Sequence, residues 1–231
     1  MSDRTFDDFD EFGRDYRSIH SKNIAWSGAD SFYFAEQKVL QIKKYEGQQR
    51  QSLLDVGCGD GAAEVFFNKE FSSWELHGID VSESSIAQAV SNNVPATFST
   101  YDGVNIPFPS GAFDVVFVAA VLHHVSFSHH ADLLKEIHRV LKTGGRLYVF
   151  EHNPLNPATH YLVKTCPFDK DAKLLSHGYT KRLLSSSGFN KLTRKFTIFF
   201  PRTAFFKPLL KIEDRLGWLP LGGQYFYRAV K

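Results

Sequence analysis

One stretch constrains this chain more than any other: Leu53-Leu54-Asp55-Val56-Gly57-Cys58-Gly59-Asp60-Gly61. The apolar run around Asp55 predicts a short buried strand, and glycines at alternate positions stop it. Ala62, Ala63, Val65, Phe66 and Phe67 follow and predict a helix with one broad apolar face. Strand, tight turn and helix in this order let a ligand approach bare backbone beside the unpaired N–H groups of a helix N-terminus. Gly57, Gly59 and Ala62 satisfy the dinucleotide spacing G-x-G-x-x-G/A. Asp55 argues against a dinucleotide. A carboxylate closing the strand repels a pyrophosphate and favours a ligand that has a cationic end and no phosphate.

S-adenosylmethionine (SAM) is such a ligand, with an ammonium and a sulfonium. At these residues the sequence resembles the class I SAM-dependent methyltransferases, whose first motif is an acid-x-Gly-x-Gly-x-Gly turn. Two further stretches carry the resemblance. Phe108-x-x-Gly111-x-Phe113-Asp114-x-Val116 matches the start of the family's fourth strand. Glu136-Ile137-x-Arg139-Val140-Leu141-Lys142-x-Gly144-Gly145 matches the approach to its fifth, with Thr143 where a proline is usual. The resemblance is specific over Leu53 to about Phe150. It implies an α/β, Rossmann-like open sheet of seven strands in the order 3-2-1-4-5-7-6, the last antiparallel, with helices on both faces. It implies SAM as cofactor and S-adenosylhomocysteine (SAH) as product.

Along the chain, Phe6, Phe9, Phe12 and Tyr16 predict a helix over Asp3–His20. Asp30 can cap a second helix carrying Phe34, Val39, Leu40 and Ile42. Residues 1–50 then form an N-terminal helical cap and 51–231 the SAM-binding domain. Glu75–Asp80 reads as the second strand, with Ser82 capping the next helix and Glu83 in its first turn. Ala96–Tyr101 reads as the third strand and Ala112–Val118 as the fourth. Ser128–Leu141 is an amphipathic helix, with Gly144 suited to the left-handed position after it. Arg146–Phe150 is the fifth strand, and Asn153–Phe168, with its prolines, a loop. Thr180–Ser187 is a helix stopped by Gly188, with Phe189 folding back on Leu184. Lys191–Phe200 and Gln224–Val230 are the last strands, and 201–223 between them is an acceptor-side insertion.

The expected cofactor residues follow from these positions. Asp55, Gly57 and Gly59 form the turn. Asp80, 23 positions beyond Gly57, can accept both hydroxyls of a ribose, with Val81 beside it. The resemblance implies that Asp102, followed by Gly103, meets the adenine amino group. Ala119 is small enough to leave room for adenosine. The resemblance also places N-terminal helices over the cofactor, with Tyr16 touching it. For an acceptor that must lose a proton, His123, His124 and His152 are the candidate bases, with Glu151 beside them. His123, His124, His129 and His130 suggest a metal, but no acid or cysteine pattern completes a site, so none is expected.

Composition narrows the remaining choices. Hydrophobic residues at 43%, charged residues at 23%, a net charge of +2 and 2 cysteines are ordinary for a globular protein of a reducing compartment, so a cytoplasmic location is expected. The acidic Met1–Asp15 has no apolar core for a signal peptide, and no apolar run nears the ~20 residues of a membrane span. Phe189–Lys231 holds nine Lys/Arg against two acids, with many aromatics. This segment is either a solvated basic surface or a contact for an anionic substrate or membrane surface, and for an acceptor that is a small or lipid-like molecule it motivates the lipid-like option. The lack of a separate basic recognition module, and of an Asn/Asp-Pro-Pro-Tyr signature after strand four, disfavours nucleic acid. Two alternatives remain: a SAM- or SAH-binding protein without turnover, and an NAD-dependent oxidoreductase. Nothing indicates an oligomeric state.

Overall fold

The computed structural model describes residues 28–166 and 172–231. The Asp3–His20 helix and Tyr16 lie outside the described residues. Seven strands form one sheet in the order β3-β2-β1-β4-β5-β7-β6, the expected order. They are β1 Ser52–Val56, β2 Glu75–Asp80, β3 Thr97–Thr100, β4 Phe113–Ala119, β5 Leu141–His152, β6 Asn190–Thr197 and β7 Gln224–Val230. The pairs among β1 to β5 are parallel, and β7 runs antiparallel between β5 and β6. The principal helices are α1 Ser31–Lys43, α2 Ala62–Glu70, α3 Glu83–Ser91, α4 His130–Val140, α5 Pro157–Thr165 and α6 His177–Ser186.

Alternation along each strand splits the core in two. Leu53, Val115, Phe117, Tyr148 and Phe150 pack with Val39 and Ile42 of α1 and Ala63 and Phe67 of α2. Leu54, Val116, Val118, Leu147 and Val149 pack on the other face with Leu133, Leu134 and Ile137 of α4 and Leu184 of α6. Asp55 shares the parity of Leu53, so its side chain belongs to the α1/α2 face. At the opposite end of the sheet, Asp114 accepts from Ser52 N at 2.9 Å and pairs with Lys142 at 2.8 Å. It ties strand starts together, away from the glycine turn.

Local signals set most helix ends. Asp30 caps α1 by accepting from Tyr33 N, and Ser82 caps α3 by accepting from Ser85 N at 3.1 Å. After α6, Gly188 takes φ 91°, Phe189 N bonds Leu184 O and Gly188 N bonds Ser185 O, the two bonds of a Schellman motif.

Three expectations are corrected. Residues 157–165, read as loop, are helix α5. Asn156 accepts from Thr159 N at 3.0 Å, and Pro157 sits at the first helical position, where its missing N–H costs nothing. Gly144 is left-handed at φ 76°, but it lies inside β5 rather than after a helix. Helix α4 ends at Val140 and Leu141 already pairs with Phe113, so β5 starts five residues before Arg146 and absorbs the glycines at a register shift. On α2, the fully buried residues are Ala63, Glu64 and Phe67, while Val65 and Phe66 are half-buried. A carboxylate thus holds a position that an apolar pattern does not foresee.

Candidate functional site

The C-terminal ends of β1, β2, β4 and β5 meet at one edge of the sheet, where an open α/β fold binds its ligands. Gly57 N and Cys58 N both donate to Ile79 O, at 2.8 and 3.1 Å, bending the chain off β1. Gly57 has φ 79°, and a Cβ there would lie 2.4 Å from Val121 Cγ2, so only glycine fits. At Gly59 a Cβ would meet nothing within 4 Å. The open side of the turn is therefore where a ligand can reach the backbone. Gly61 caps α2 without a side chain, which leaves that helix's first N–H groups without a capping acceptor.

Asp80 ends β2 and holds the turn. Its Oδ2 accepts from Gly59 N at 2.8 Å and its Oδ1 from Ser82 N at 3.0 Å. Each oxygen has a second lone pair that can accept a ribose hydroxyl. Val81 is half-buried beside it. Asp102 and Gly103 follow β3, and Gly103 is left-handed at φ 76°. The exposed Asp102 carboxylate accepts from Val104 N, Asn105 N and Asn105 Nδ2, bonds that hold it below the usual carboxylate range. An adenine amino group would be one more donor. Half-buried Ala119 closes β4, and Ala120 takes φ 60° while donating to Phe150 O at 2.9 Å. A non-glycine residue in this region marks local strain at the ligand edge.

Asp55 is 2% exposed and faces Glu64 of α2, which is 0% exposed. Burial pushes Asp55 well above the carboxylate range, reinforced by Glu64 and Asp80 and opposed by Lys38. Burial likewise pushes Glu64 up to about 8. Lys38, half-buried on α1, is pulled down to about 8 by burial, against the attraction of Asp55 and Glu151. Neither Glu64 nor Lys38 was anticipated. The one sequence signal for Glu64 was an acid at a core spacing of α2.

The four residues proposed for proton chemistry come together. Leu122–His124 form one turn of 3-10 helix after β4, and Leu122 N donates to Glu151 Oε1 at 2.9 Å. Glu151 Oε2 lies 2.6 Å from His123 Nδ1, with both side chains buried. The His124 and His152 rings lie 4.2 and 5.2 Å from that of His123, centroid to centroid. Burial alone would raise Glu151. The pairing with His123, together with His152 and His124, outweighs it and holds the carboxyl below its usual range. His130 is apart from this group. It bonds Tyr179 Oη at 2.9 Å and the Leu122 carbonyl at 2.8 Å, which makes it a packing residue. Among the described residues no group of three or more His, Cys, Asp or Glu could hold a metal ion, and no helix is long and apolar enough to cross a membrane.

A family model described as a methyltransferase domain matches residues 54–149. The chain is 32% identical over 107 residues to an uncharacterized methyltransferase of Synechocystis sp., covering 46% of this chain and 50% of that one. It is 28% identical over 165 residues to a demethylmenaquinone methyltransferase of Corynebacterium kroppenstedtii, covering 69% and 67%. It spans only 32% to 50% of the length of four other curated relatives it matches, the Synechocystis methyltransferase among them. Its fold is that of a SAM-dependent methyltransferase of Thermotoga maritima, with a TM-score of 0.69 at 19% identity, over 95% of this chain and 97% of that one. Sheet order, acid-bearing glycine turn and matched segment agree: residues 54–149 are similar to a methyltransferase domain, and the chain has the fold of the SAM-dependent methyltransferases.

Proposed function

We propose that this protein transfers the methyl group of SAM to a small, lipid-like acceptor and releases SAH. The observation that carries this reading is the acidic lining of the glycine turn. Asp55 and Glu64 lie at one end and Asp80 at the other. Such a site repels a diphosphate and attracts an amino-acid nucleoside. Methyl transfer is an in-line displacement at carbon with a good leaving group, so orientation and exclusion of water supply much of the rate. His123, oriented by Glu151, is the base we propose for an acceptor that must lose a proton, with His152 and His124 beside it. The quinone-type substrates named for relatives such as the Corynebacterium enzyme support an apolar acceptor. Isothermal titration decides the cofactor: SAM and SAH bind and NAD does not. Heat from NAD alone would reject the reading.

The 201–223 insertion supports the lipid-like choice. Its exposed apolar side chains include Phe205 at 82%, Trp218 at 72% and Leu221 at 56%. Asn156 Nδ2 bonds Leu221 O, and Asn153 Nδ2 bonds Gly222 O, both at 2.7 Å, which fixes this segment beside the end of β5. Lys207, Lys211 and Arg215 are exposed, whereas the acid Asp214 pairs with Lys44 and Lys195, and Glu213 accepts from Phe199 N. We propose that this face rests on an anionic bilayer, where aromatic side chains and cations both find partners. The protein is expected to float with vesicles containing phosphatidylglycerol and not with pure phosphatidylcholine. Reversing the three cations removes at least about 1 kcal/mol per charge, on the order of 100-fold in all. Equal flotation of the reversed variant would discard the membrane contact and leave the methyl-transfer reading standing.

A further inference from the structure

Three buried carboxylate oxygens at the ligand edge have no hydrogen-bond partner among the described residues: Asp55 Oδ1, Glu64 Oε1 and Glu64 Oε2. The two side chains come from consecutive elements, the end of β1 and the first turn of α2, across the glycine turn. They lie within hydrogen-bonding reach of each other, but two ionised carboxylates supply no donor. One shared proton makes one hydrogen bond and leaves the other oxygens unmatched. The backbone N–H of Glu64 lies near enough to favour its ionised form, against the larger effect of burial, but the surroundings do not complete the set. Asp60 faces the pair from the turn and Asp80 from β2, and both carboxylates disfavour further negative charge there. Lys38 faces it from α1, but among the described residues it makes no hydrogen bond or ion pair to either acid, and its attraction is divided between Asp55 and Glu151. An ammonium group carries three N–H donors and a positive charge. It matches the three vacant acceptors in number and the pair in sign.

We propose that Glu64 is a second carboxylate for the ammonium of the bound amino-acid nucleoside, and that it shares one proton with Asp55 until that ammonium displaces it. On binding, the carboxyl O–H bond breaks and its proton passes to the buffer. Both carboxylates then accept N–H bonds from the ligand. The inference rests on the SAM-binding reading above and adds a residue and a proton to it. Ligand binding becomes coupled to pH: each proton released per ligand strengthens binding tenfold per pH unit, until the free pair has lost its proton.

SAH tests this without turnover. The full chain is titrated with SAH at pH 6.5 in phosphate and in imidazole, buffers of different ionisation heat, and again at pH 6 and pH 7, where an α-amino group stays charged. The expected result is close to one proton released per SAH and an affinity about tenfold higher at pH 7 than at pH 6. Glu64→Gln removes the carboxyl that shares the proton, and its affinity rises less steeply over the same interval. Equal heats in the two buffers, or an unchanged slope in Glu64→Gln, overturn the proposal. Binding without proton release removes this inference alone, whereas no binding of SAH or SAM at any pH removes the methyltransferase reading with it. A ligand-free measurement stands beside the titration if the variant folds poorly. The folded protein keeps the Glu64 proton to about pH 8, and the unfolded chain loses it above about 4.5. The unfolding midpoint of the wild type, corrected for other groups by the variant, therefore falls as pH rises between these values. A variant with the same fall as the wild type would count against the shared proton.

Discussion

Asp80→Ala is expected to weaken SAH binding by on the order of 100-fold. The Asp80 carboxylate accepts Gly59 N at 2.8 Å and Ser82 N at 3.0 Å, so it fixes the glycine turn and the start of α3 at once. Hydrogen bonds to a charged group contribute about 1.5–3 kcal/mol each. The alanine variant loses the acceptor of two backbone donors as well as the proposed acceptor of the ribose hydroxyls. Losing two such bonds to a ligand amounts to about 3 kcal/mol or more, which is a factor of about 100. Asp80→Asn keeps one acceptor oxygen and the side-chain volume, so its loss should be nearer tenfold. Isothermal titration of the three proteins measures this series, and circular dichroism confirms that the sheet is intact. SAH binding by Asp80→Ala within threefold of wild type would mean that this carboxylate serves the turn alone and that the ribose lies elsewhere.

Glu151→Ala should be the most destabilising single change at the site, by about 3–5 kcal/mol. Removing one member of a buried ion-paired set strands the other. Here His123 Nδ1 and Leu122 N both lose their acceptor in a space closed to water. Urea unfolding measures the loss, and its pH dependence identifies the cause. The folded-state carboxyl titrates below its usual range, so its contribution is fully present above the unfolded value of about 4.5. That contribution fades as pH falls through the lower folded-state value, and the wild-type and variant curves should converge in acid. Catalysis separates a structural dyad from a working one. If His123 is the base, Glu151→Gln, which keeps the shape and Leu122 bond, lowers kcat by about 100-fold or more. Turnover within threefold of wild type would leave the dyad as architecture only.

Much of this molecule is written locally. The strand, glycine turn and helix around Asp55, the Ser82 cap and the stop at Gly188-Phe189 each depend on residues within a few positions, so their neighbours specify them. The same holds for helix α5, whose Asn156-Pro157 start is a legible signal. Proline opens a helix as readily as it breaks one, and only the position of the cap tells the two apart. The start of β5 at Leu141 is different in kind. Its pairing with Phe113 competes with continuation of α4, and a partner strand 28 residues earlier decides the outcome.

By itself, the sequence determined the order of elements, the acid-bearing turn and the polarity of the ligand it favours, because periodicity, caps and glycine conformations act over one or two turns of chain. Only the tertiary structure decided which charges meet. Strand parity sends Asp55 toward α2, packing brings Glu64 and Lys38 in from two helices, and adjacent strand ends close Glu151 onto His123. Burial then changes what these groups do, since a carboxyl that is an ordinary anion in water becomes a proton holder when its neighbours are other acids and no solvent is left to share.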